Sequence, residues 1–429
     1  MSTPTFSEIE NAFQPAREID SAERFAGRKD AVLETYYALV AEGANIAVVG
    51  NRGIGKSSLA RQIVNMSRGD NSLLTRLALP HDRQLDFLSI YFACGNSIES
   101  IPQLLERLLT TTNCLGDWIY DIPKAKKEIS SFAPEFKATL FGTGATIGGT
   151  KTTEADRERA IVAHPIDTVF TNVCHAIVEQ QIAKDGLLIV VDEFDQIRDP
   201  SGAAGLLKSL ATNVPRVKFC LVGVATDIHN LMKEHQSSDR LFAGSIINLP
   251  PMTEHELGEI VHIAEDSINR HITFGEDGVA RLVTLAQGHP YMIHLIGKYA
   301  LRSAFNDALR SIDGTLIDST LQSIAERGAD PVLEGRYKKA VASSPQREIV
   351  LRAMAAVRKF DGESWTSDAY KIAIEQDVDN PSQYVGQLVT EDFGAELEKV
   401  RERYYRFRDS LFAAYAKVRP PQFGPASKN

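Results

Sequence analysis

The chain has 429 residues, of which 43% are apolar and 24% charged, with a formal net charge of −9. That length suits two to three domains with sizeable cores, and the composition is that of an ordinary folded protein. The acidic balance weighs against a protein that coats nucleic acid through its overall field, though it leaves room for one local basic patch.

No apolar run reaches membrane-spanning length, and the N-terminus lacks the basic-then-apolar layout of a signal peptide. A cytoplasmic location without membrane contact is therefore expected. The four cysteines, Cys94, Cys114, Cys174 and Cys220, form no CxxC pair and have no partner histidine at ligand spacing. They read as reduced thiols.

Residues 1–24 read as a lead-in, with structure beginning near Phe25. Val32, Leu33, Tyr36, Leu39 and Val40 then recur at helical spacing. The next stretch decides most. An apolar run of strand length, 46–49, enters Gly50-Asn51-Arg52-Gly53-Ile54-Gly55-Lys56-Ser57, and a helix-compatible segment follows from Ser58. This is the phosphate-binding P-loop pattern in its strand–loop–helix setting. The glycines let the backbone curl so that successive N–H groups face phosphate oxygens, and the helix adds the positive end of its dipole. Lys56 then reaches the β- and γ-phosphates, and the Ser57 hydroxyl is the expected Mg²⁺ ligand. A Gly-rich turn by itself is only a turn. Strand, spacing, Lys56, Ser57 and helix together predict a nucleoside triphosphate site along residues 50–58.

Residues 85–94 read as a second strand, apolar on both faces as in a buried parallel sheet. Between 97 and 165 the pattern is irregular: 101–109 is amphipathic, 136–150 suggests a glycine-punctuated hairpin, and 151–159 is charged. A helix at about 165–184, with Pro165 near its first position, precedes buried strands at 187–191 and 218–223. Strands alternating with helices predict an α/β fold, a parallel sheet wrapped by helices. From about Thr253 the strand pattern stops, and a helical region runs to about 326. Residues 327–331 make a plausible joint. Helices at 334–342 and 345–358, short mixed elements and an aromatic-rich segment at 404–415 follow. The tail after Val418 reads as disordered.

The strand at 187–191 ends in Asp192 and Glu193. Carboxylates there sit at the strand's carboxyl end, the edge of an open α/β sheet where ligands gather. Asp192 would hold Mg²⁺ through water, and Glu193 would polarise the water that attacks the γ-phosphate. Asp195 extends the acidic cluster or caps the next segment. Alone, such acids could simply be solvated; below a P-loop they predict Mg²⁺-dependent ATP hydrolysis.

Together these residues resemble the AAA+ ATPases of the origin-recognition/initiator-like branch and their relatives among STAND signalling ATPases, over about residues 13–300. The resemblance implies a P-loop ATPase core at 25–252 with the insert at about 97–165, then an all-α lid at 253–328. A winged-helix-like domain at 329–418 and a tail at 419–429 complete the expected organisation. The stretch from Phe13 to Asp20, with Phe25-Ala26-Gly27-Arg28, resembles the adenine-side segment, which implies that Phe25, Gly27 and Arg28 lie near the base. It also reads as a plain helix start. Residues 218–227 are similar to the fourth core strand, whose end carries the sensor 1 residue: Thr226, or else Asp227. Either serves equally as a helix N-cap.

Residues 235–240 resemble the arginine-finger segment, which implies that Arg240 reaches a neighbouring subunit's γ-phosphate in a homo-oligomer or larger complex. A surface arginine in a salt bridge fits the same pattern. Gly288-His289-Pro290 is similar to the lid-helix Gly-x-Pro signature, implying that His289 and Pro290 face the nucleotide. No arginine stands at that point, which departs from the sensor 2 arginine of many AAA+ motors and favours a switch. Residues 346–354 and 384–389, with Tyr405-Arg406-Phe407-Arg408, resemble a winged helix, which serves protein contacts as well as DNA.

The expected function is thus an ATP-binding and ATP-hydrolysing switch, with ATP and Mg²⁺ as ligands. Its ATP or ADP state would control conformation or assembly with a protein or nucleic-acid partner, in settings such as mobile-element or phage-defence machinery. The alternatives are a DNA-binding initiator or loader, and a scaffold holding ATP as a structural ligand.

Overall fold

The apolar runs at 46–49, 187–191 and 218–223 offer water no polar face, so they need cover on both sides. The computed structural model of the chain describes residues 3–95, 97–119, 165–223, 242, 244–359 and 362–423. Its strands β1 (Ile46–Gly50), β2 (Phe87–Ala93), β3 (Gly186–Asp192), β4 (Val217–Gly223) and β5 (Ile246–Leu249) form one sheet in the order β2-β3-β4-β1-β5. All pairings are parallel. The three apolar runs become the three central strands, and every residue of β1, β3 and β4 is buried. The expected α/β parallel sheet is present. The hairpin expected at 136–150, the charged stretch at 151–159, Thr226, Asp227, Arg240 and residues 424–429 lie outside the described residues.

The chain divides into two compact units: 18–50 with 56–249, and 1–17 with 51–55 and 250–429. In the first, alternate residues of β3 (Leu187, Ile189, Val191) share one core with Phe170, Leu207 and Phe219. Helices Lys29–Val40, Lys56–Ser67, Ile101–Thr110, Ile166–Glu179 and Ala203–Asn213 occupy the connections. Pro165 is the N-cap of its helix, one position earlier than expected, and that helix ends at Glu179. Lys218 on β4 is 5% exposed, and its Nζ donates to Ala38 O at 2.8 Å and to Ala41 O, closing the end of helix Lys29–Val40. Burial pulls its pKa down to about 8. All four cysteines are free and buried.

In the second unit the lead-in is more ordered than its sequence suggests. Residues 6–12 form a helix, closed by a Thr5–Glu8 capping box. Only Ile9 and Ala12 of it are buried, too little apolar periodicity to announce a helix from sequence. Phe13 is fully buried, and a Cβ on Gly297 would lie 2.7 Å from its ring. A glycine there is what lets helix Pro290–Asn306 receive that ring.

Helices Glu254–Ser267, Glu276–Ala286, Pro290–Asn306 and Gly314–Arg327 form the expected helical region, opened by a Thr253–Glu256 capping box. Strand structure does not stop at Thr253 as the pattern suggested. A parallel pair, β6 (Thr273–Phe274) and β7 (Ser311–Ile312), is inserted, each strand too short to register as a periodic run. Gly328 ends the last helix in the left-handed region, and Asp330 caps the next, Pro331–Val341.

Beyond lie helix Pro345–Ala356, β8 (Glu363–Trp365), helices Thr366–Ile374 and Pro381–Leu388, and the hairpin β9 (Leu397–Arg401) with β10 (Tyr404–Phe407). The sheet order is β8-β10-β9, with antiparallel pairing throughout.

Residues 419–423, read from composition as the start of a disordered tail, are tied down. Arg419 pairs with Glu334 at 2.7 Å, both nearly fully buried, and Glu334 also accepts from the Tyr415 hydroxyl at 2.6 Å. Gln422 N and Phe423 N donate to Glu348 at 2.5 and 2.9 Å. Burial pushes the Glu334 carboxyl up, but the Arg419 and Tyr415 hydrogen bonds outweigh it and the net shift is downward. A carboxyl lowered in the fold contributes stability present above its unfolded pKa and lost as pH falls through the folded one. Arg419→Met removes the buried guanidinium from Glu334, leaving the Tyr415 hydroxyl and the exposed Lys338 at 3.6 Å, and is expected to destabilise the protein by about 3 kcal/mol in urea melts at pH 7. The deficit should shrink as pH falls below about 4.5, the carboxyl's ordinary range. An unchanged urea midpoint at pH 7 would refute this role for the pair.

Candidate nucleotide site

β1 ends at Gly50, and helix Lys56–Ser67 starts after a five-residue loop. In the loop between, Gly53 and Gly55 take φ of +71° and +99°. Those left-handed values turn the backbone N–H groups inward, and they are costly for any residue with a Cβ. Lys56 and Ser57 follow as the first two residues of the helix, where its N–H groups and dipole favour an anion. The loop therefore fits a phosphate chain.

β4 lies between β1 and β3, so the carboxyl ends of β1 and β3 stand two strands apart at the same edge of the sheet. Asp192, the last residue of β3, is 2% exposed. Its Oδ1 accepts from Glu193 N at 2.8 Å, and its Oδ2 accepts from the Tyr91 hydroxyl. Glu193 follows at φ +54° and is exposed, while Phe194 is buried and anchors the turn. A Cβ on Gly223, where β4 ends, would lie 3.1 Å from Asp195 Oδ1, so a small residue there lets the acidic turn close in. Burial first, then the charges of Asp192, Glu193 and Asp195, push the Cys94 thiol up to about 12.

Among the described residues no group of three His, Cys, Asp or Glu side chains could hold a metal by itself. One hydroxyl from Ser57 and one carboxylate from Asp192 are instead the donors suited to Mg²⁺, which keeps most of its waters and takes phosphate oxygens. The residues fit Mg²⁺ bound together with a nucleotide.

The stretch expected on the adenine side runs along the P-loop helix. Ile19 N donates to Ser58 Oγ at 3.1 Å, Gln62 Nε2 to Ile19 O at 3.2 Å, and Asn65 Nδ2 to Asp20 O at 2.7 Å. The Ser58 hydroxyl thus serves this strap. Phe25 and Arg28 are both buried, and Arg76 donates to Phe25 O.

In the other unit, His289 is fully buried as N-cap of helix Pro290–Asn306, and Pro290 is that helix's first residue. Pro290 Cγ lies 3.9 Å from where a Cβ on Gly55 would be. A Cβ on Gly53 would meet Leu411 Cδ2 at 2.9 Å and Tyr291 Cβ at 3.4 Å. Tyr291 also donates to Asp330 at 2.5 Å. Sequence reasoning missed Tyr91, Tyr291 and Leu411. Only Tyr291 had a local signal, its place directly after the Gly-x-Pro turn. Thr226 and Arg240 lie outside the described residues, so the structure places neither.

A family model described as "Novel STAND NTPase 1" matches residues 12–347. No curated protein matches the chain. Among solved structures, a Walker-type ATPase of Pyrococcus abyssi is 16% identical, covering 94% of this chain and 99% of that one with a TM-score of 0.50. The ORC1 protein of Aeropyrum pernix, solved in complex with DNA, is 13% identical over 92% of each chain with a TM-score of 0.44. Cdc6p from Pyrobaculum aerophilum is 11% identical over 97% of each chain, with a TM-score of 0.43. The likeness to the Pyrococcus protein is one of fold. No described helix is long and apolar enough to cross a membrane.

Proposed function

We propose, because the chain belongs to the novel STAND NTPase 1 family, that it is an ATP-hydrolysing switch whose nucleotide state sets its conformation or assembly. One observation carries the reading: β4 separates β1 from β3, bringing a left-handed glycine loop, Lys56 and Ser57 to the sheet edge that also bears Asp192 and Glu193. Residues 50–58 cradle the phosphates, and Lys56 neutralises the outer ones. Ser57 and Asp192 hold Mg²⁺, which when bound offsets charge on the phosphate oxygens. Glu193, exposed at the end of β3, orients and deprotonates the attacking water. Phe25 and Arg28 belong to the adenine side. Thr226 serves as the sensor after β4, and Arg240 as the cation supplied to a neighbouring subunit. His289 and Pro290 complete the lid side, and without an arginine at that turn they read nucleotide state rather than drive rapid turnover.

A second reading, a DNA-binding initiator or loader, takes the C-terminal helices with the small antiparallel sheet β8-β10-β9 as a winged helix. The charges on and beside hairpin β9–β10 favour protein contact instead. Arg401 pairs with Glu363 at 2.8 Å, Arg406 with Glu398 at 2.6 Å, and Arg408 with Glu391 at 3.7 Å. Arginines matched by carboxylates leave little net field for phosphates.

Light-scattering mass and sedimentation of the full chain in ATP and in ADP, each with and without duplex DNA, tests both readings. A nucleotide-dependent change without DNA binding is the expected result. Identical behaviour in the two nucleotides would sink the switch. DNA affinity that falls with salt at a log–log slope of about −5 or steeper would install the initiator.

A further inference from the structure

Asp192 is held by a side chain that belongs to neither nucleotide motif. In the parallel register of β2 and β3, Tyr91 stands opposite Val190 and Ala93 opposite Asp192. Side chains alternate along a strand, so Tyr91 shares a face with Asp192. Its hydroxyl donates to Asp192 Oδ2, while Oδ1 takes Glu193 N at 2.8 Å. Arg61, on the helix that begins with Lys56, lays its guanidinium over the Tyr91 ring, 3.6 Å from the centroid. One run of contacts therefore leads from the phosphate-binding helix through Arg61 and Tyr91 to Asp192.

A half-buried tyrosine could simply send its hydroxyl to the nearest acceptor. Here the acceptor is a 2%-exposed carboxylate with a task. An ionised carboxylate has about four lone-pair sites. One donor on each oxygen fixes its rotamer and leaves the remaining sites for a hydrated cation. The cation–π contact fixes the ring that carries the donor.

We propose that Tyr91 is a positioning residue for Mg²⁺ binding, aiming the Asp192 carboxylate, and that Arg61 holds Tyr91 in place. This rests on the reading of Asp192 as the metal-side acid. Hydrogen-bond partners of metal-binding groups are typically worth 10- to 100-fold in metal affinity. The structure puts Tyr91 in that position by register, with no motif to announce it.

The test is a Mg²⁺ titration of binding to a fluorescent ADP analogue by wild type, Tyr91→Phe, Arg61→Met and Asp192→Asn, with EDTA as the metal-free reference. It needs no turnover. Tyr91→Phe is expected to keep the wild-type affinity in EDTA and to melt somewhat earlier, because a buried carboxylate loses a donor, but to need about 10-fold more Mg²⁺ for half its effect. Arg61→Met should shift in the same direction by less. If wild type shows no Mg²⁺-dependent gain, or Asp192→Asn keeps it, the reading of Asp192 fails. If Asp192→Asn loses the gain and Tyr91→Phe titrates like wild type, Asp192 keeps its role and the Tyr91 proposal is overturned. A Tyr91→Phe protein that already binds the analogue poorly in EDTA would make Tyr91 a packing residue, which overturns it as well.

Discussion

Glu193→Gln is expected to bind ATP as wild type does and to release phosphate about 10²–10⁴-fold more slowly, the usual loss when a general base is removed. Glutamine keeps the size and polarity of the side chain but cannot take the proton from water. Position also argues for this residue. Glu193 is exposed at φ +54° on a turn anchored by buried Phe194, so the change alters no core packing. Asp195 is the natural control, since its Oδ1 lies against the end of β4. Phosphate-release kinetics with ATP-binding titrations would decide it. Turnover within a few-fold of wild type would remove Glu193 as the base and favour a protein that holds ATP as a structural ligand.

Lys56→Ala is expected to act one step earlier, on binding. Hydrogen bonds involving a charged group are worth about 1.5–3 kcal/mol each, so losing one to phosphate should weaken ATP affinity by roughly 10- to 150-fold. Lys56 opens its helix rather than filling a core, so melting without nucleotide should change little. The stabilisation that saturating ATP gives wild type should fall by about 1.5–3 kcal/mol in the variant at the same concentration. Unchanged affinity would refute the phosphate cradle, whatever Glu193 does. The pair of variants thus separates holding the nucleotide from hydrolysing it.

What was legible in the chain was legible for local reasons. The strands at 46–49, 187–191 and 218–223 announced themselves because a central parallel strand is apolar on both faces, a pattern that needs no partner to be seen. The loop at 50–57 did so because phosphate binding demands glycines at fixed places, and Gly53 and Gly55 do adopt the left-handed backbone those places require. The order in helix Phe6–Ala12 was hidden because a seven-residue helix with two buried side chains gets its stability from docking, not periodicity. Residues 419–423 were misread for a similar reason. Their proline-rich composition looks like a tail, yet Arg419 and two backbone N–H groups find Glu334 and Glu348, which are distant in sequence. Strands β6 and β7, two residues each, carry no period to detect.

By itself the sequence determined the α/β class and supplied the proposal of a phosphate loop with two acid partners, because each depends on residue type at short spacing. Only the tertiary structure decided that β4 stands between β1 and β3, setting the two halves of the site two strands apart. Placing β4 beside β1 depends on packing between segments far apart in the chain, Ile46 against Cys220, and no local pattern encodes it. The same holds for Tyr91. Its contact with Asp192 exists because β2 and β3 pair in one particular register, and a shift of one residue would turn it to the other face.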